Sequence, residues 1–287
     1  MSADAPDRYG WESWNWDDSV FRGTAAFYRA GRYPYAPGLA GALALRLGLD
    51  GSGRLLDVGC GPGTVALAFA HLFEAVVGLD PEPDMIAEAT RAAAESGVRH
   101  ASWVQARAES LPDALGTFRV VSFAQSFHWM DRPRVAGAVR DMLEPRGAVV
   151  LVDRAGLPAR FEGPNDDHPP VPEEAIDELR VRWLGADRRA GQGLRNTSPS
   201  GEDDVFQAAG FAPEETVVAP DGRAIYPTID EIVARVLSSS WTAPHLFGAR
   251  VDQFEQELRD LLRAASSEGR FTVRLPDNRL RIWQPKA

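Results

Sequence analysis

A glycine-rich segment at Leu55–Thr64 constrains the fold more than any other feature of this chain. It reads LLDVGCGPGT, so a short apolar run is followed at once by three glycines at alternate positions. Glycine removes side chains where the backbone must turn sharply or come close to a ligand. The amides at the start of the helix that follows can face that ligand. The segment therefore predicts a strand, a tight turn and a helix at a ligand site, and glycines that serve tight packing alone remain the alternative.

The first half of the chain repeats this alternation of strand and helix. Short apolar runs typical of buried strands occupy 54–58, 75–80, 101–105, 118–123 and 147–152. Segments with helical periodicity lie between them at 63–73, 82–95 and 132–143. This alternation is typical of a parallel sheet with helices on both faces. Because parallel crossovers are right-handed, we expect a doubly wound α/β sheet.

The second half has a different rhythm, with loops predicted over 154–172 and 185–201. Helices are predicted over 173–184, 202–209, 229–241 and 250–264, and a strand over 211–219. Near the C-terminus, alternating apolar residues surround a Pro276-Asp277-Asn278 turn. This pattern predicts a hairpin that adds an antiparallel edge to the sheet.

Composition excludes several classes of protein. The 287 residues suit one large domain, and a net charge of −10 would repel a nucleic acid backbone. Cys60 is the single cysteine, so no intramolecular disulfide can form. The first thirty residues are acidic rather than basic and apolar, and no run of eighteen apolar residues occurs. We therefore expect a cytoplasmic enzyme without membrane contact.

Two acidic residues give the glycine segment a more specific interpretation. The glycines are Gly59, Gly61 and Gly63, which is not the G-x-G-x-x-G spacing of dinucleotide-binding proteins. Asp57 precedes them near the end of a buried strand, where a carboxylate needs a partner such as a ligand ammonium group. Asp80 ends the next strand, where an acid commonly accepts hydrogen bonds from ribose hydroxyls. A helix N-cap role is the alternative for Asp80.

Successive segments resemble the motifs of class I S-adenosylmethionine-dependent methyltransferases. They read LLDVGCGPGT, VVGLDPEPDMIAEA, ARAESLP, VVSFAQSFHWMD and MLEPRGAVVLVD. The chain resembles in particular the small-molecule branch that includes trans-aconitate methyltransferase-like enzymes. The resemblance implies a Rossmann-like, mostly parallel seven-stranded sheet with an antiparallel C-terminal edge and a helical cap. It also implies S-adenosyl-L-methionine as the cofactor, and no metal.

The resemblance assigns residues to the parts of that cofactor. The methionine part would lie over Gly59–Gly63, including Cys60, and near Asp57; the ribose would lie on Asp80. The adenine would lie against Pro81, Met85 and the Ala108-Glu109 segment, with Gln125 completing the set. Arg107 departs from the pattern, because many relatives carry an aspartate there that accepts from the adenine amino group.

The acceptor side is expected after the fourth strand, at Gln125, Ser126, Phe127, His128 and Trp129. The Asn/Asp-Pro-Pro-aromatic motif of enzymes that methylate nucleobase or amide nitrogens is absent. A small organic acceptor with an oxygen nucleophile is therefore predicted. A carboxylate would need no base, whereas a hydroxyl would, and His128 is the candidate base. A structural role for His128 is the alternative.

Three other segments are candidates for the acceptor site. Aromatic residues are dense in 1–40, which predicts either a lid or simple packing. The methyltransferase domain would cover 41–287, with cap insertions near 154–201 and 224–268 that bring Trp241 and His245 near the acceptor. Arg188, Arg189 and Arg195 could hold an anionic acceptor or form a solvated loop. A monomer or homodimer is expected.

Two other functions are compatible with an α/β sheet of this kind. A nicotinamide-dependent oxidoreductase would use the same sheet, but Lys286 is the only lysine, which leaves little room for lysine-based catalysis. A non-catalytic S-adenosylmethionine-binding protein is the second. The glycine spacing and Asp57 favour a methyltransferase over the oxidoreductase, and the intact glycines with an aromatic-lined acceptor region favour it over the binding protein.

Overall fold

The computed structural model describes residues 19–111, 114–154, 168–186, 189–190, 193–194 and 201–286. The helices of this part are α1 Ala25–Gly31, α2 Leu39–Leu47, α3 Thr64–Phe69, α4 Pro83–Ser96, α5 Arg132–Asp141, α6 Glu173–Leu184, α7 Glu202–Ala208, α8 Ile229–Leu237 and α9 Val251–Ala265. The strands are β1 Arg54–Val58, β2 Ala75–Asp80, β3 Ala101–Gln105, β4 Phe118–Ala124, β5 Leu143–Arg154, β6 Arg189–Ala190, β7 Gly193–Leu194, β8 Glu215–Ala219, β9 Ala224–Ile225, β10 Val273–Arg274 and β11 Asn278–Trp283.

Seven of these strands form one sheet in the order β3-β2-β1-β4-β5-β11-β8. β1 pairs in parallel with β2 and β4, and β11 pairs antiparallel with both β5 and β8. The predicted doubly wound, seven-stranded sheet is confirmed, including its antiparallel side. The strand order reverses between β1 and β4, so a crevice forms at their carboxyl ends, where ligands of such sheets bind.

The predicted hairpin at the C-terminus is wrong. β10 pairs with β9 in a small separate sheet, whereas β11 lies inside the main sheet and β8 forms its edge. The position of β11 inside the sheet buries apolar side chains on both of its faces. Leu280 and Ile282 belong to one apolar core, and Trp283 belongs to the core on the other face. Alternation of apolar residues identifies a strand but not the strand with which it pairs.

Element boundaries follow the expected ones closely in the parallel half. β1, β2 and β3 have the predicted bounds, whereas β5 begins four residues early, at Leu143. The helix predicted over 229–241 ends at Leu237 and is followed by a 3-10 turn at Ser240–Thr242. The loop predicted over 185–201 contains the two-residue strands β6 and β7.

The cap has its own apolar core on α6, α8 and α9. α1 packs closely on α8, because a Cβ atom at Gly31 would lie 2.3 Å from the backbone nitrogen of Arg235. Residues 1–18 lie outside the described part of the chain, so a moving lid at 1–40 stays a prediction. The part that the structure describes contains no helix that is both long and apolar enough to cross a membrane.

Gly63, predicted as a cofactor contact, has a packing role behind the sheet. Its φ is +78°, and a Cβ atom there would lie 2.6 Å from the indole ring of Trp103. Gly97 ends α4 with a similar φ of +72°, but nothing lies within 4 Å of the position of its Cβ atom. Substitution of Gly97 would therefore introduce only the strain of a left-handed backbone, whereas substitution of Gly63 would add a steric clash.

We expect Gly97→Ala to lower the free energy of unfolding by about 1–2 kcal/mol, the cost of left-handed backbone. Gly63→Ala should lose about 1–3 kcal/mol more, because the methyl group must displace Trp103. Urea unfolding followed by tryptophan fluorescence measures both. Equal losses in the two variants would contradict the packing role of Gly63.

Candidate active site

Two adjoining cavities open at the carboxyl ends of β1, β2, β4 and β5. Their volumes, counted with their open mouths, are about 640 and 940 Å³. We name them the first and the second cavity. The two share a wall formed by Phe21, Tyr28, Gly59, Ala124, Gln125 and Trp129. Because the cavities adjoin, molecules bound in them would meet at this wall.

The first cavity collects most of the predicted cofactor residues. It is lined by Gly59, Gly61, Asp80, Pro81, Met85, Ala108, Glu109 and Gln125. These residues come from the turns after β1, β2, β3 and β4, so the parallel sheet brings together residues that are far apart in sequence. Cys60 lines the second cavity instead.

The glycine turn places bare backbone at the first cavity. A Cβ atom at Gly61 would point toward Met85 Sδ and the Tyr28 ring, each 4.0 Å away, and both residues line the cavity. At Gly59 a Cβ atom would lie 2.5 Å from Cβ of Ser126. Gly61 therefore keeps the cavity open, and Gly59 allows the two turns to touch.

The amides of the turn itself form hydrogen bonds within the protein. The Gly59 and Cys60 amides both donate to the Leu79 carbonyl oxygen, at 2.7 and 3.0 Å. The Gly61 amide donates to Asp80 Oδ2 at 2.9 Å. Because these donors are used inside the protein, the turn offers a ligand close approach rather than those hydrogen-bond donors.

Asp80 lies at the wall of the first cavity and is 9% exposed. Besides Gly61, its carboxylate accepts from the Glu82 amide at 3.0 Å. Burial raises the pKa of Asp80, and the two amides oppose that shift. Glu82 is the N-cap residue of α4, so the alternative that Asp80 is the helix N-cap is wrong. The carboxylate keeps lone pairs for a ligand hydroxyl.

Asp57 lies beneath the turn and lines neither cavity. It is fully buried: Oδ1 accepts from the Ser122 hydroxyl at 2.7 Å, and Oδ2 accepts from the Ala66 amide at 3.2 Å. Burial raises the pKa of Asp57 to about 6, although both hydrogen bonds act against it. The expected contact with a ligand ammonium group is corrected accordingly: partners within the protein satisfy this carboxylate.

Glu109 is held at the opposite wall of the first cavity. Its Oε1 atom accepts from the Asp131 amide at 2.9 Å, and Arg107 Nε lies 3.5 Å from Oε2. Arg107 lines the same cavity. Arg107, which departs from the family pattern, thus lies beside Glu109, which was predicted to contact the adenine.

Of the predicted acceptor residues, Gln125, His128 and Trp129 line the second cavity, whereas Ser126 lines only the first and Phe127 is buried in the apolar core. His128 and Trp129 share a 3-10 turn at Phe127–Trp129. Gln125 has a φ of +56°, which is uncommon for a residue with a side chain. Its Nε2 atom donates to Asp153 Oδ1 at 2.9 Å. The backbone strain is thus located at the wall between the two cavities, as is common at functional sites.

The predicted aromatic N-terminus contributes to both cavities. Phe21 contacts Trp129 edge to face at 5.5 Å and lines both cavities, and Tyr28 lines both as well. Trp241 lines the second cavity, as expected. His245 lines neither cavity, and its Nδ1 atom lies 3.1 Å from the Arg22 carbonyl oxygen.

Sequence reasoning missed two arginines of the second cavity, Arg32 and Arg154. Arg154 ends β5, so its place at the carboxyl edge of the sheet was available as a signal. The sequence pointed instead to Arg188, Arg189 and Arg195 as groups that could hold an anionic acceptor, and the structure does not test that prediction. Arg188 and Arg195 lie outside the described residues, and only the backbone of Arg189, in β6, is described.

Comparisons with known proteins agree with this site. Residues 55–147 match the model of a family described as a methyltransferase domain. The chain is 30% identical over 177 residues to 2-heptyl-1-hydroxyquinolin-4(1H)-one methyltransferase of Mycobacteroides abscessus, which covers 59% of this chain and 76% of that protein. It is 31% identical over 120 residues to ubiquinone biosynthesis O-methyltransferase of Xanthomonas euvesicatoria, which covers 42% of this chain and 50% of that one.

The chain spans half or less of the length of several other curated relatives that it matches. Among solved structures, a proposed type II methyltransferase of Anaeromyxobacter dehalogenans has a TM-score of 0.50 at 22% identity. The match covers 88% of this chain and 95% of that one, and it concerns the fold alone.

The fold and the paired cavities define a cofactor-dependent α/β protein. The chain belongs to the class I S-adenosylmethionine-dependent methyltransferases. The matches support this class, and they do not extend to the trans-aconitate branch.

The buried carboxylate of Asp57 predicts a dependence of stability on pH. Its pKa is near 3.8 in the unfolded chain and about 6 in the folded protein, so the folded state binds the proton more tightly. The contribution of this group is therefore present at low pH and is lost as the pH rises through about 6. Relative to Asp57→Asn, the wild type should lose about 2 kcal/mol of unfolding free energy between pH 4 and pH 7.

Urea unfolding at micromolar protein concentration, at several values in this pH range, measures the difference. Asn can preserve both contacts, because its carbonyl can accept from Ala66 and its amide can donate to Ser122. Asp84→Asn, at an exposed aspartate of α4, serves as the control and should show no such trend. A pH-independent difference between wild type and Asp57→Asn would contradict the assigned burial.

Proposed function

We propose that this protein transfers the methyl group of S-adenosylmethionine to an oxygen atom of a small organic acceptor. The observation that supports this most directly is the pair of cavities that share a wall at Gly59, Gln125 and Trp129. Transfer from a sulfonium to a nucleophile is an in-line displacement, so the donor and the acceptor must meet at a fixed distance and angle. Two cavities with a common wall provide this arrangement.

The residues that line the first cavity support its assignment to S-adenosylmethionine. Asp80 would accept hydrogen bonds from the ribose hydroxyls, and Pro81, Met85 and Ala108 would pack against the adenine, near Glu109. The backbone of Gly59, Cys60 and Gly61 would run along the methionine part. In this proposal Asp57 and Gly63 act through the turn, as positioning residues, and do not touch the cofactor. When bound, the cofactor supplies the electrophilic methyl group.

The second cavity would hold the acceptor beside the shared wall. Gln125 and Trp129 would position it against the cofactor, and Phe21 and Tyr28 would help to exclude water. His128 faces this cavity beside them. For a hydroxyl acceptor, His128 would take up the proton that the oxygen loses, whereas a carboxylate acceptor of the trans-aconitate kind would need no base. The oxygen nucleophile is supported by the similarity to a ubiquinone biosynthesis O-methyltransferase.

Binding of S-adenosylhomocysteine tests the assignment of the first cavity to the cofactor. Asp80→Asn should weaken binding by about 10–100-fold, because it removes charged hydrogen bonds to the ribose. Asp84→Asn makes the same charge change one turn away, on the exposed surface, and should bind as the wild type does. Calorimetry measures both dissociation constants. Unchanged binding by Asp80→Asn would remove Asp80 from the cofactor site.

Methyl transfer from labelled S-adenosylmethionine to a panel of carboxylic acids, phenols and amines tests the reaction. We expect O-methylated products. For a hydroxyl acceptor, His128→Gln should lower kcat about 10²–10⁴-fold and leave the affinity for S-adenosylhomocysteine unchanged. Binding of the cofactor without transfer to any member of the panel would favour the non-catalytic binding protein. Transfer to amines alone would overturn the oxygen nucleophile.

A further inference from the structure

Arg32 and Arg154 both line the second cavity. Arg32 directly follows α1, and Arg154 ends β5, so the fold brings them together from opposite ends of the site. In a chain with 41 acidic and 31 basic residues, most arginines can find a carboxylate. Yet no carboxylate of the described residues forms an ion pair with either of these two guanidinium groups.

Each guanidinium is fixed in place by neutral groups. Arg32 lies over the Tyr28 ring at 4.6 Å and donates from Nη2 to the Ser238 carbonyl oxygen at 2.6 Å. Arg154 lies over the Tyr35 ring at 4.9 Å, and it donates to the carbonyl oxygens of Tyr33 and Pro34. These contacts orient the groups without neutralising them, so both positive charges remain at the cavity wall.

The two charges also repel each other. Burial lowers the pKa of Arg154, and the charge of Arg32 lowers it further, while Tyr35 and Asp221 act in the opposite direction. A pair of like charges that is held rigidly and left without a counterion stabilises a bound anion. A carboxylate offers one oxygen to each guanidinium, and charged hydrogen bonds of this kind are the strong ones.

The rest of the cavity wall suits an apolar skeleton attached to that anion. Phe21, Trp129 and Trp241 line the same space. Flat aromatic side chains bury large apolar areas and favour stacking with other rings. An organic acid with an apolar or aromatic body matches both parts of the cavity.

We propose that Arg32 and Arg154 are the specificity-determining residues of the acceptor site, and that the acceptor is an organic acid whose carboxylate they bind. This inference rests on the proposed function, since it assigns the second cavity to the acceptor. The cofactor also carries a carboxylate, on its methionine end, and the experiment must separate these two sources.

The test uses matched pairs of carboxylates and primary amides with the same skeleton: benzoate and benzamide, cinnamate and cinnamamide, hexanoate and hexanamide. Binding is measured by calorimetry with the full chain saturated with S-adenosylhomocysteine. We expect at least one acid to bind about tenfold or more tightly than its amide. Arg154→Gln and Arg32→Gln should each remove this preference.

Arg29→Gln is the matched control, because Arg29 lies on α1 and pairs with Glu88 and Glu95 outside the cavity. It should keep the preference for acids. If Arg154→Gln does not fold, Arg32→Gln still provides the test. Arg32 donates to only one backbone carbonyl oxygen, so its replacement should disturb the fold less. If no acid binds more tightly than its amide, or if the preference survives in both variants, the inference is overturned.

A second arm compares S-adenosylhomocysteine with 5′-methylthioadenosine, which lacks the amino acid end. If both arginine variants bind methylthioadenosine normally but S-adenosylhomocysteine weakly, and retain the preference for acids, the arginines bind the cofactor carboxylate and the acceptor assignment is overturned. Absence of S-adenosylhomocysteine binding by the wild type would instead overturn the proposed function. The two failures are therefore distinguishable.

Discussion

The buried carboxylate of Asp57 is the interaction on which the whole site depends. In β1 it lies between Gly78 of β2 and Ser122 of β4, and Ser122 is its hydrogen-bond partner. Its two oxygens fix β4 and the first turn of α3 relative to β1. Removing one partner of such a buried group costs more than the bond itself contributes, because the remaining group is left without a partner. The direction in which the chain leaves β1 is therefore fixed by groups that line neither cavity.

The residues beside Asp57 in the neighbouring strands also explain the positions of the glycines. Trp103 in β3 is the neighbour of Gly78, and its indole ring reaches across to Gly63, which must therefore lack a side chain. Ser126 approaches Gly59 from the other side and donates to the Val58 carbonyl oxygen at 2.6 Å. Gly61 has no such close neighbour and lines the first cavity, whereas Gly59 lines both cavities and also allows Ser126 to approach. Packing therefore explains Gly63, while Gly59 and Gly61 leave bare backbone at the cavities.

The sequence was most informative about residues whose position is set by their own strand or turn. Periodicity located β1, β2 and β3 and put Asp80 at the end of its strand, whereas the resemblance to methyltransferases assigned Met85 and Glu109 to the cofactor site. All three residues line the first cavity. Contacts between distant segments could not be read in this way. Nothing local to Asp57 indicates that Ser122 satisfies it, and nothing local to β11 indicates that it pairs between β5 and β8. Arg32 and Arg154 are 122 positions apart, and only the folded chain shows that they share a wall.

The two cavities are built in different ways, and this difference bears on selectivity. The first is formed largely by turns that follow neighbouring parallel strands, so the sheet itself fixes its geometry. The second depends on the packing of α1 against α8 at Gly31, since Arg32 is held by the carbonyl oxygen of Ser238, which directly follows α8. Arg154 in turn is held by the backbone that follows α1. A change in how α8 packs on α1 would therefore move the two positive charges together, whereas Asp80 and the glycine turn belong to the sheet. Because Tyr28 of α1 lines both cavities, such a change would alter the second cavity most and the first cavity only at the shared wall.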